Sequence, residues 1–242
     1  MGCCGRWLLG LLISVSSALA CAAEPTQIRI ASEVWEEHSN ADGTGLAWDV
    51  FRAVFEPAGV QLSIQSVPYT RSIGLVQRGD ADAWVGSYLN EVEQGVFYPR
   101  RHYDVDQIAA LGLPDKPAPS LESIGKYRLA WMRGYQYQRY LPDLRQYREV
   151  HRSSDILGML DMGHADFYLD ALAEVEEVLS ATSEPERYRI TPLTRLPIYL
   201  SFADTPRGRT LAELFDRRMD ELLENGSLQP IFQRWQQPYP FD

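Results

Sequence analysis

Cysteine is almost absent from this sequence of 242 residues, and the three that occur, Cys3, Cys4 and Cys21, all lie within residues 1–23. Those residues resemble a secretory signal peptide, with an early positive charge, an apolar stretch over residues 7–15 and small residues at 20–23. Export predicts an oxidising compartment, yet residues 24–242 offer no thiol for a disulfide or for a zinc cluster that contains cysteine. The hydrophobic core must therefore hold the fold.

No apolar stretch of the sequence is long enough for a stable membrane span. The stretch at residues 7–15 is far shorter than the roughly 20 residues that a transmembrane helix needs. We therefore expect cleavage after Ala22 or Ala23 and a periplasmic product. One alternative stays open, because Cys21 follows Ala18, Leu19 and Ala20 and can be interpreted as a lipoprotein acceptor.

Positive charge is also scarce. The sequence has 23 lysines and arginines against 33 aspartates and glutamates, a net charge of −10. Nucleic acids and anionic membranes are bound by basic faces. We expect neither as a partner.

Motifs of metal and nucleophilic chemistry are missing as well. The four histidines, at His38, His102, His151 and His164, lack the spacing of metal ligands. There is no glycine-rich phosphate loop and no nucleophile elbow. Asp80, Asp82 and Asp166 have the surroundings of turn residues rather than of catalytic carboxylates. The sequence predicts no metal, no cofactor and no catalytic residue.

Hydrophobic periodicity predicts an α/β fold. Residues 27–31 and 61–65 alternate as strands do, and between them lies an apolar helical face that ends at Gly59. That face consists of Ala47, Val50, Phe51, Val54, Phe55 and Ala58. Residues 127–132, 149–151, 189–191 and 198–203 are predicted strands, and two helices are predicted over 211–223 and 228–235. Helices between strands favour a mixed, mostly parallel sheet.

One segment occurs twice. Residues 70–86, TRSIGLVQRGDADAWVG, share a plan with residues 154–170, SDILGMLDMGHADFYLD, 84 positions later. Gly79 matches Gly163 and Asp82 matches Asp166. Each copy predicts a hydroxyl N-cap, a two-turn helix, a glycine C-cap, a turn with Ala-Asp and a short apolar strand. Two similar units predict two similar lobes.

The copies and the proline-rich residues 114–119 define the expected lobes. Lobe 1 comprises residues 24–107 and 203–242, and lobe 2 comprises residues 108–202. Two crossings, near residues 104–112 and 198–204, are expected to form a hinge with a cleft between the lobes. Ligands of open parallel sheets bind beyond the carboxyl ends of strands. Glu33, Gly86, Ser87, Tyr135 and Asp170 lie at such ends.

Six segments in this order resemble the bacterial extracellular solute-binding proteins of the polar amino-acid class (family 3), which have the type II periplasmic-binding-protein fold. They are GLAWDVFRAVFEPAG, VPYTRSIGLVQRGDADAWVG, YPRRHY, LAWMRGYQY, MGHADFYLD and FDRRMDELLENGSLQPIFQRW. The resemblance implies two lobes that close over a small solute by a hinge motion, without chemistry.

The ligand-binding residues of that family are matched only in part by this sequence. Asp170 matches the aspartate that receives a ligand's α-ammonium group, although it can also be interpreted as a helix N-cap before residues 171–174. The arginine that binds the ligand carboxylate is expected seven residues after Gly86, where this sequence has Glu93. A carboxylate cannot form the bidentate pair that an arginine forms.

Other residues can complete a site in the cleft. Arg71 is a candidate substitute cation, and its alternative is a solvated helix residue. Trp35 follows the first strand, and Tyr69, Tyr88 and Tyr137 can add aromatic walls. Aromatic faces with several carboxylates favour an aromatic or cationic solute.

The predicted function is binding of a small polar or amino-acid-like solute for a membrane ABC-type transporter, by a monomer. Two alternatives stay open. One is a ligand-sensing module. The other is a periplasmic enzyme on the same fold, similar to cyclohexadienyl dehydratase, in which Glu33 or Glu93 would act as a general acid.

Overall fold

The computed structural model describes residues 25–241, so the predicted signal peptide and Cys21 lie outside the described residues. The strands are β1 (Gln27–Ser32), β2 (Gln61–Ser66), β3 (Ala83–Tyr88), β4 (Val96–Phe97), β5 (Asp104–Gly112), β6 (Leu129–Met132), β7 (Tyr147–Val150), β8 (Phe167–Ala171) and β9 (Arg189–Ala203). The helices are α1 (Leu46–Phe55), α2 (Tyr69–Gln77), α3 (Ile156–Asp161), α4 (Leu172–Ser180), α5 (Pro206–Glu224) and α6 (Gln229–Arg234). Within residues 25–241, no helix has the length and apolarity needed to cross a bilayer.

All strands join one mixed sheet in the order β2-β1-β3-β9-β5-β8-β6-β7, with β4 paired to β9. Strands β2, β1 and β3 are parallel, and so are β7, β6 and β8. Every antiparallel pair includes β5 or β9. We call β1–β4 with α1, α2, α5 and α6 the first half, and β6–β8 with α3 and α4 the second half. The two halves share β5 and β9.

Strand β9 is longer than the sequence indicated. Its 15 residues pair with β5 from Arg189 to Ile198 and with β3 and β4 beyond it. Two short strands, 189–191 and 198–203, were expected, and the residues between them include Pro192 and Pro197, which cannot donate to a ladder. Pro192 is tolerated at a register shift of the β5–β9 pair, where the ladder is already irregular. The expected lobe boundaries at 107/108 and 202/203 fall inside β5 and β9, and they stay a prediction.

Helix α1 confirms the apolar face predicted for it except at Ala58, which is exposed because it lies beyond the helix in the following turn. Its Phe51, Val54 and Phe55 are fully buried, and the rings of Phe55 and Phe215 of α5 lie 6.2 Å apart. Burying each of these large side chains contributes about 1.5 to 3 kcal/mol before entropy is counted. The helix then tightens into a 3-10 turn, Glu56–Ala58, and stops at Gly59, whose φ of 79° is the left-handed conformation of a C-cap.

The two copies of the repeated segment have the same structure. Helices α2 and α3 are each followed by a glycine in the left-handed region, Gly79 with φ 75° and Gly163 with φ 65°, and then by strands β3 and β8. The expected hydroxyl N-caps are wrong. Pro68 precedes α2 without a side-chain cap, and the Asp155 side chain accepts from the Gly158 N–H at α3. A carboxylate at N-cap does this at least as well as a serine.

The aspartates of the two copies also make matching contacts. Asp82 Oδ2 accepts from Arg29 N at 2.8 Å, and Asp166 Oδ2 accepts from Arg128 N at 2.8 Å. In each case the same arginine also places its guanidinium 2.8 Å from the other carboxylate oxygen. The aspartate thereby ties the turn before β3 or β8 to the neighbouring strand. Both are turn residues, as predicted.

Candidate functional site

A cavity lies where the two halves meet, with a volume of about 90 Å³. That is room for several water molecules or for a small solute. We call it the cleft cavity. Its lining comprises Trp35, Glu36, His38, Tyr69, Gly86, Tyr88, Asp106, Tyr135, Asp170, Ala171, Ala173, Glu174 and Ile198. Both halves and both shared strands contribute to it.

Gly86 determines how Trp35 reaches the cleft cavity. Its φ is +85°, and a Cβ at this position would lie 2.7 Å from the Trp35 ring atom Cη2. Any larger residue would push the indole away. Gly86 thus permits the Trp35 ring to pack directly on the end of β3.

Aromatic rings form much of the cavity wall. The Tyr69 ring lies edge-on to Trp35, with centroids 5.8 Å apart, and edge-on to Tyr135 at 5.4 Å. The Tyr88 ring lies 5.9 Å from that of Tyr137, which is fully buried behind it. The two edge-to-face contacts of Tyr69 are favourable and hold its ring in place.

Polar contacts connect the two halves across the cleft. Trp35 Nε1 in the first half donates to Tyr135 Oη in the second at 3.2 Å. Arg152, which follows β7, donates through Nε to Glu33 Oε1 at 3.3 Å and through a terminal nitrogen to Tyr135 Oη at 2.7 Å. Its other terminal nitrogen donates to Glu174. The halves are therefore in contact at one edge of the cavity.

Three carboxylates of the cavity have raised pKa values. Burial raises the pKa of Asp106 to about 6. Burial, and then the nearby Glu174, raise the pKa of Asp170 well above its usual range, while Arg152 opposes them. The pKa of Glu174 is raised by burial as well, against the effect of Arg152. A charged partner in the cavity would relieve these desolvation costs.

Glu91 lies directly behind the cavity wall. Its Oε2 accepts from Tyr69 Oη at 2.6 Å, from Ser87 Oγ at 3.1 Å and from Tyr88 N at 3.2 Å. Burial raises its pKa to about 7. Glu91 Oε1 is buried without a hydrogen-bond partner among the described residues. Glu91 therefore anchors three predicted site residues from behind.

The predicted site residues divide into two groups. Those that line the cleft cavity are Trp35, Tyr69, Gly86, Tyr88, Tyr135 and Asp170. Glu33 binds Arg152 at the edge instead, and Ser87 is buried against Glu91. Arg71 is exposed on α2 and does not line the cavity. Glu93 is also outside, where its carboxylate binds Arg139 at 3.1 Å with 72% of the side chain exposed.

Asp170 does not cap α4, because the N-cap position is Ala171. Its Oδ1 accepts from Ala171 N at 2.9 Å, Tyr168 Oη donates to its Oδ2, and the residue is 1% exposed. The alternative interpretation of Asp170 as an ordinary helix cap is therefore wrong. A buried carboxylate at the end of β8 faces the cavity instead.

Several site residues were not predicted, and some had a signal. Arg152 follows Val150, the end of β7, so the strand-end rule would have found it had we applied it to that strand. Asp106 and Asp104 alternate with apolar residues along β5, which marks them as one face of a strand. Glu174 and Glu36 had no such signal, since both reach the cavity only through tertiary packing. Among residues 25–241, no group of three histidine, cysteine, aspartate or glutamate side chains is arranged to hold a metal ion.

The buried carboxylates make stability depend on pH. Burial raises the pKa of Asp104 to about 8 and that of Glu91 to about 7, while both are near 4 in an unfolded chain. The folded chain then keeps protons that the unfolded chain has lost, so stability falls as pH rises. Burial also lowers the pKa of His38 to about 4. His38 therefore makes stability rise with pH, but only below about pH 6.5, which is the pKa of histidine in an unfolded chain.

We therefore expect the free energy of unfolding to fall by about 2 kcal/mol between about pH 6.5 and about pH 8. Urea unfolding at a series of pH values measures this. Asp104 faces Asp106, Arg195 and His38, and its Oδ1 accepts from Val105 N at 2.8 Å. Asp104→Asn keeps that acceptor and should flatten the dependence. A stability that is constant or rises over this range would contradict the expectation.

Known proteins with a similar architecture are found among solved structures. No protein-family model matches the sequence, and none of the curated proteins matches it. Several solved structures do match the fold of this chain. The substrate-binding protein of an amino-acid ABC transporter is 16% identical with a TM-score of 0.67, and the match covers 86% of this chain and 98% of that one. A histidine kinase sensor domain similar to periplasmic binding proteins is 14% identical with a TM-score of 0.70, covering 88% and 96%.

A third similar structure is an ancestral amino-acid-binding protein described as a precursor of cyclohexadienyl dehydratase. It is 16% identical with a TM-score of 0.64, and the match covers 87% of this chain and 95% of that one. At these identities the likeness establishes the fold alone. The chain has the type II periplasmic-binding-protein fold, as the sequence predicted.

Proposed function

We propose that this chain is an exported periplasmic solute-binding protein that captures a small polar or amino-acid-like molecule in the cleft cavity, as a monomer and without catalysis, for a membrane ABC-type transporter. The observation that carries the proposal is the cavity itself, which both halves and both shared strands line with aromatic and acidic side chains. The likeness to the substrate-binding protein of an amino-acid ABC transporter supports it.

Capture would work through the two shared strands. A solute that contacts Tyr69 of the first half and Asp170 of the second is held only when the halves are together. By mass action it therefore favours the closed arrangement. Strands β5 and β9 are the natural hinge, because the described chain passes between the halves along them. The contacts of Trp35 and Arg152 across the cleft would then open for solute entry.

A sensory role is the first alternative, since a histidine kinase sensor domain has a similar structure. Capture would be the same, and only the recipient of the closed form would differ. Neighbouring genes distinguish the two roles, because a permease with an ATPase indicates transport and a kinase indicates sensing.

An enzyme similar to cyclohexadienyl dehydratase is the second alternative, favoured by the likeness to the precursor of such an enzyme. The raised pKa values of Asp106 and Asp170 would suit a general acid. The substrates of such enzymes are carboxylates, however, and the described residues that line the cavity include no lysine or arginine to receive one. This favours binding over catalysis.

Thermal unfolding across a broad panel of small solutes tests the proposal. A solute present at about 100 times its dissociation constant stabilises the folded chain by about 2.7 kcal/mol, which corresponds to roughly 5 to 10 °C for a chain of this size. Calorimetry should then give one site per chain. If no solute stabilises the protein while it turns over a prephenate-like compound, the enzyme alternative replaces the proposal.

A further inference from the structure

Acidic side chains line the cleft cavity, and one of them, Glu174, has an arginine partner, Arg152, outside the lining. Glu36, Asp106, Asp170 and Glu174 are acidic, and none of the 13 described lining residues is a lysine or an arginine. A solute carboxylate placed there would meet several carboxylates and no cation. Like charges at such short range cost several kcal/mol.

The nearest arginine is already occupied. Each nitrogen of the Arg152 guanidinium group has an acceptor: Glu33 for Nε, and Glu174 and Tyr135 for the two terminal nitrogens. Its positive charge is therefore shared by two carboxylates, and Arg152 is not among the described residues that line the cavity. Arg71, the substitute cation considered from the sequence, is exposed and does not line the cavity, and Arg139 binds Glu93 outside it.

Three neutral donors of the aromatic wall are occupied as well, whereas Tyr135 Oη accepts from Trp35 and Arg152 and keeps its own hydrogen to donate. Trp35 Nε1 donates to Tyr135 at 3.2 Å, Tyr69 Oη donates to Glu91 at 2.6 Å, and Tyr88 Oη donates to Asp106 at 2.9 Å. Each of these groups has one hydrogen to give. What the wall offers to a solute is therefore ring faces, the hydroxyl hydrogen of Tyr135, and the remaining acceptor positions of the Asp106, Asp170 and Glu174 carboxylates.

We infer that the solute is a small organic ammonium ion that carries no carboxylate, held by Asp170 and Asp106 and by the rings of Trp35 and Tyr69. The inference rests on the proposed function, because it concerns the solute of the same cavity. Several carboxylate acceptors in a lining without lysine or arginine match an N–H cation. Aromatic faces around it add cation–π attraction, which is strongest where water is excluded. The volume of about 90 Å³ restricts the solute to a small molecule.

Matched pairs of an amino acid and its decarboxylated amine test the inference. The pairs are putrescine and ornithine, agmatine and arginine, and tyramine and tyrosine, each titrated by calorimetry into the full chain after removal of any co-purified solute. The members of a pair share the side chain and differ in the carboxylate. We expect at least one amine to bind, roughly 100-fold or more tighter than its parent amino acid, because only the parent brings a carboxylate to the acidic wall.

Two results would overturn the inference and separate it from the proposed function. If an amino acid binds as tightly as its amine, a carboxylate is accepted, and the solute-binding function stands without this specificity. If no amine binds, the inference fails, and the broad solute panel then decides the function. If a neutral or anionic solute binds in the cleft cavity, the proposed function stands and only this inference fails. If no solute binds and the protein turns over a prephenate-like compound, the proposed function fails too.

Discussion

Asp170→Asn should weaken solute binding by about 2 to 3 kcal/mol, which is roughly 30-fold to 150-fold, as expected for a buried charged hydrogen-bonding group that loses its charge. Asp170 is 1% exposed, lines the cleft cavity and is the second-last residue of strand β8. Asparagine has almost the same shape and keeps an acceptor for Ala171 N. Calorimetric titration of the variant with any solute that stabilises the wild-type protein measures the loss.

The same variant should remain folded. Burial holds the pKa of Asp170 well above its usual range, so its ionisation costs stability as pH rises. Replacing it with a neutral residue removes that cost, and the unfolding temperature at pH 8 should be equal or higher. Glu93→Gln is the matched control, because Glu93 is exposed and binds Arg139 outside the cavity. Equal affinities of Asp170→Asn and Glu93→Gln would remove Asp170 from the site.

Asp82→Ala should lower the free energy of unfolding by about 2 to 3 kcal/mol, the range for hydrogen bonds to a charged group. Its side chain is 4% exposed and accepts from Arg29 N at 2.8 Å and from the guanidinium groups of Arg29 and Arg207. Burial alone would raise the pKa of Asp82, but these arginines hold it below its usual range. Both arginine side chains are over 40% exposed, so water offsets part of the loss.

Asp80→Ala is the control for this prediction. Asp80 lies in the same turn, but its side chain is 55% exposed and binds only Arg78. Its removal should change stability by no more than about 0.5 kcal/mol. Asp166→Ala, in the second copy, should resemble Asp82→Ala, because Asp166 binds Arg128 in the same way. Urea unfolding measures all three, and a loss at Asp80 equal to that at Asp82 would contradict the account.

The parts of the fold that depend on local pattern could be predicted from the sequence. Helix α1 has an apolar face and a glycine stop, and the repeated segment specifies a helix, a left-handed glycine and a strand twice over. Pattern failed at β9, where two short strands were predicted and pairing with β5 joins them into one. Tertiary pairing decides such cases, and a single sequence does not display it.

The candidate site also has a part that could be predicted from the sequence and a part that could not. Trp35, Gly86, Tyr135 and Asp170 were predicted because they lie near the carboxyl ends of strands, a property that can be located along the chain. Glu174 and Glu36 reach the cavity through packing of α4 and of the loop after β1, and Glu91 is placed by three hydrogen bonds from behind the wall. The absence of an arginine seven residues after Gly86 was visible in the sequence. That Arg152 is nearby but occupied was not.

A crystal structure of the protein with the solute that raises its unfolding temperature most tests the central claim directly. The account predicts one solute molecule in the cleft cavity, against the ring of Trp35 or Tyr69, with a nitrogen about 3 Å from a carboxylate oxygen of Asp170 or Asp106. A solute bound elsewhere on the chain, with the cleft cavity free of it, would contradict the account.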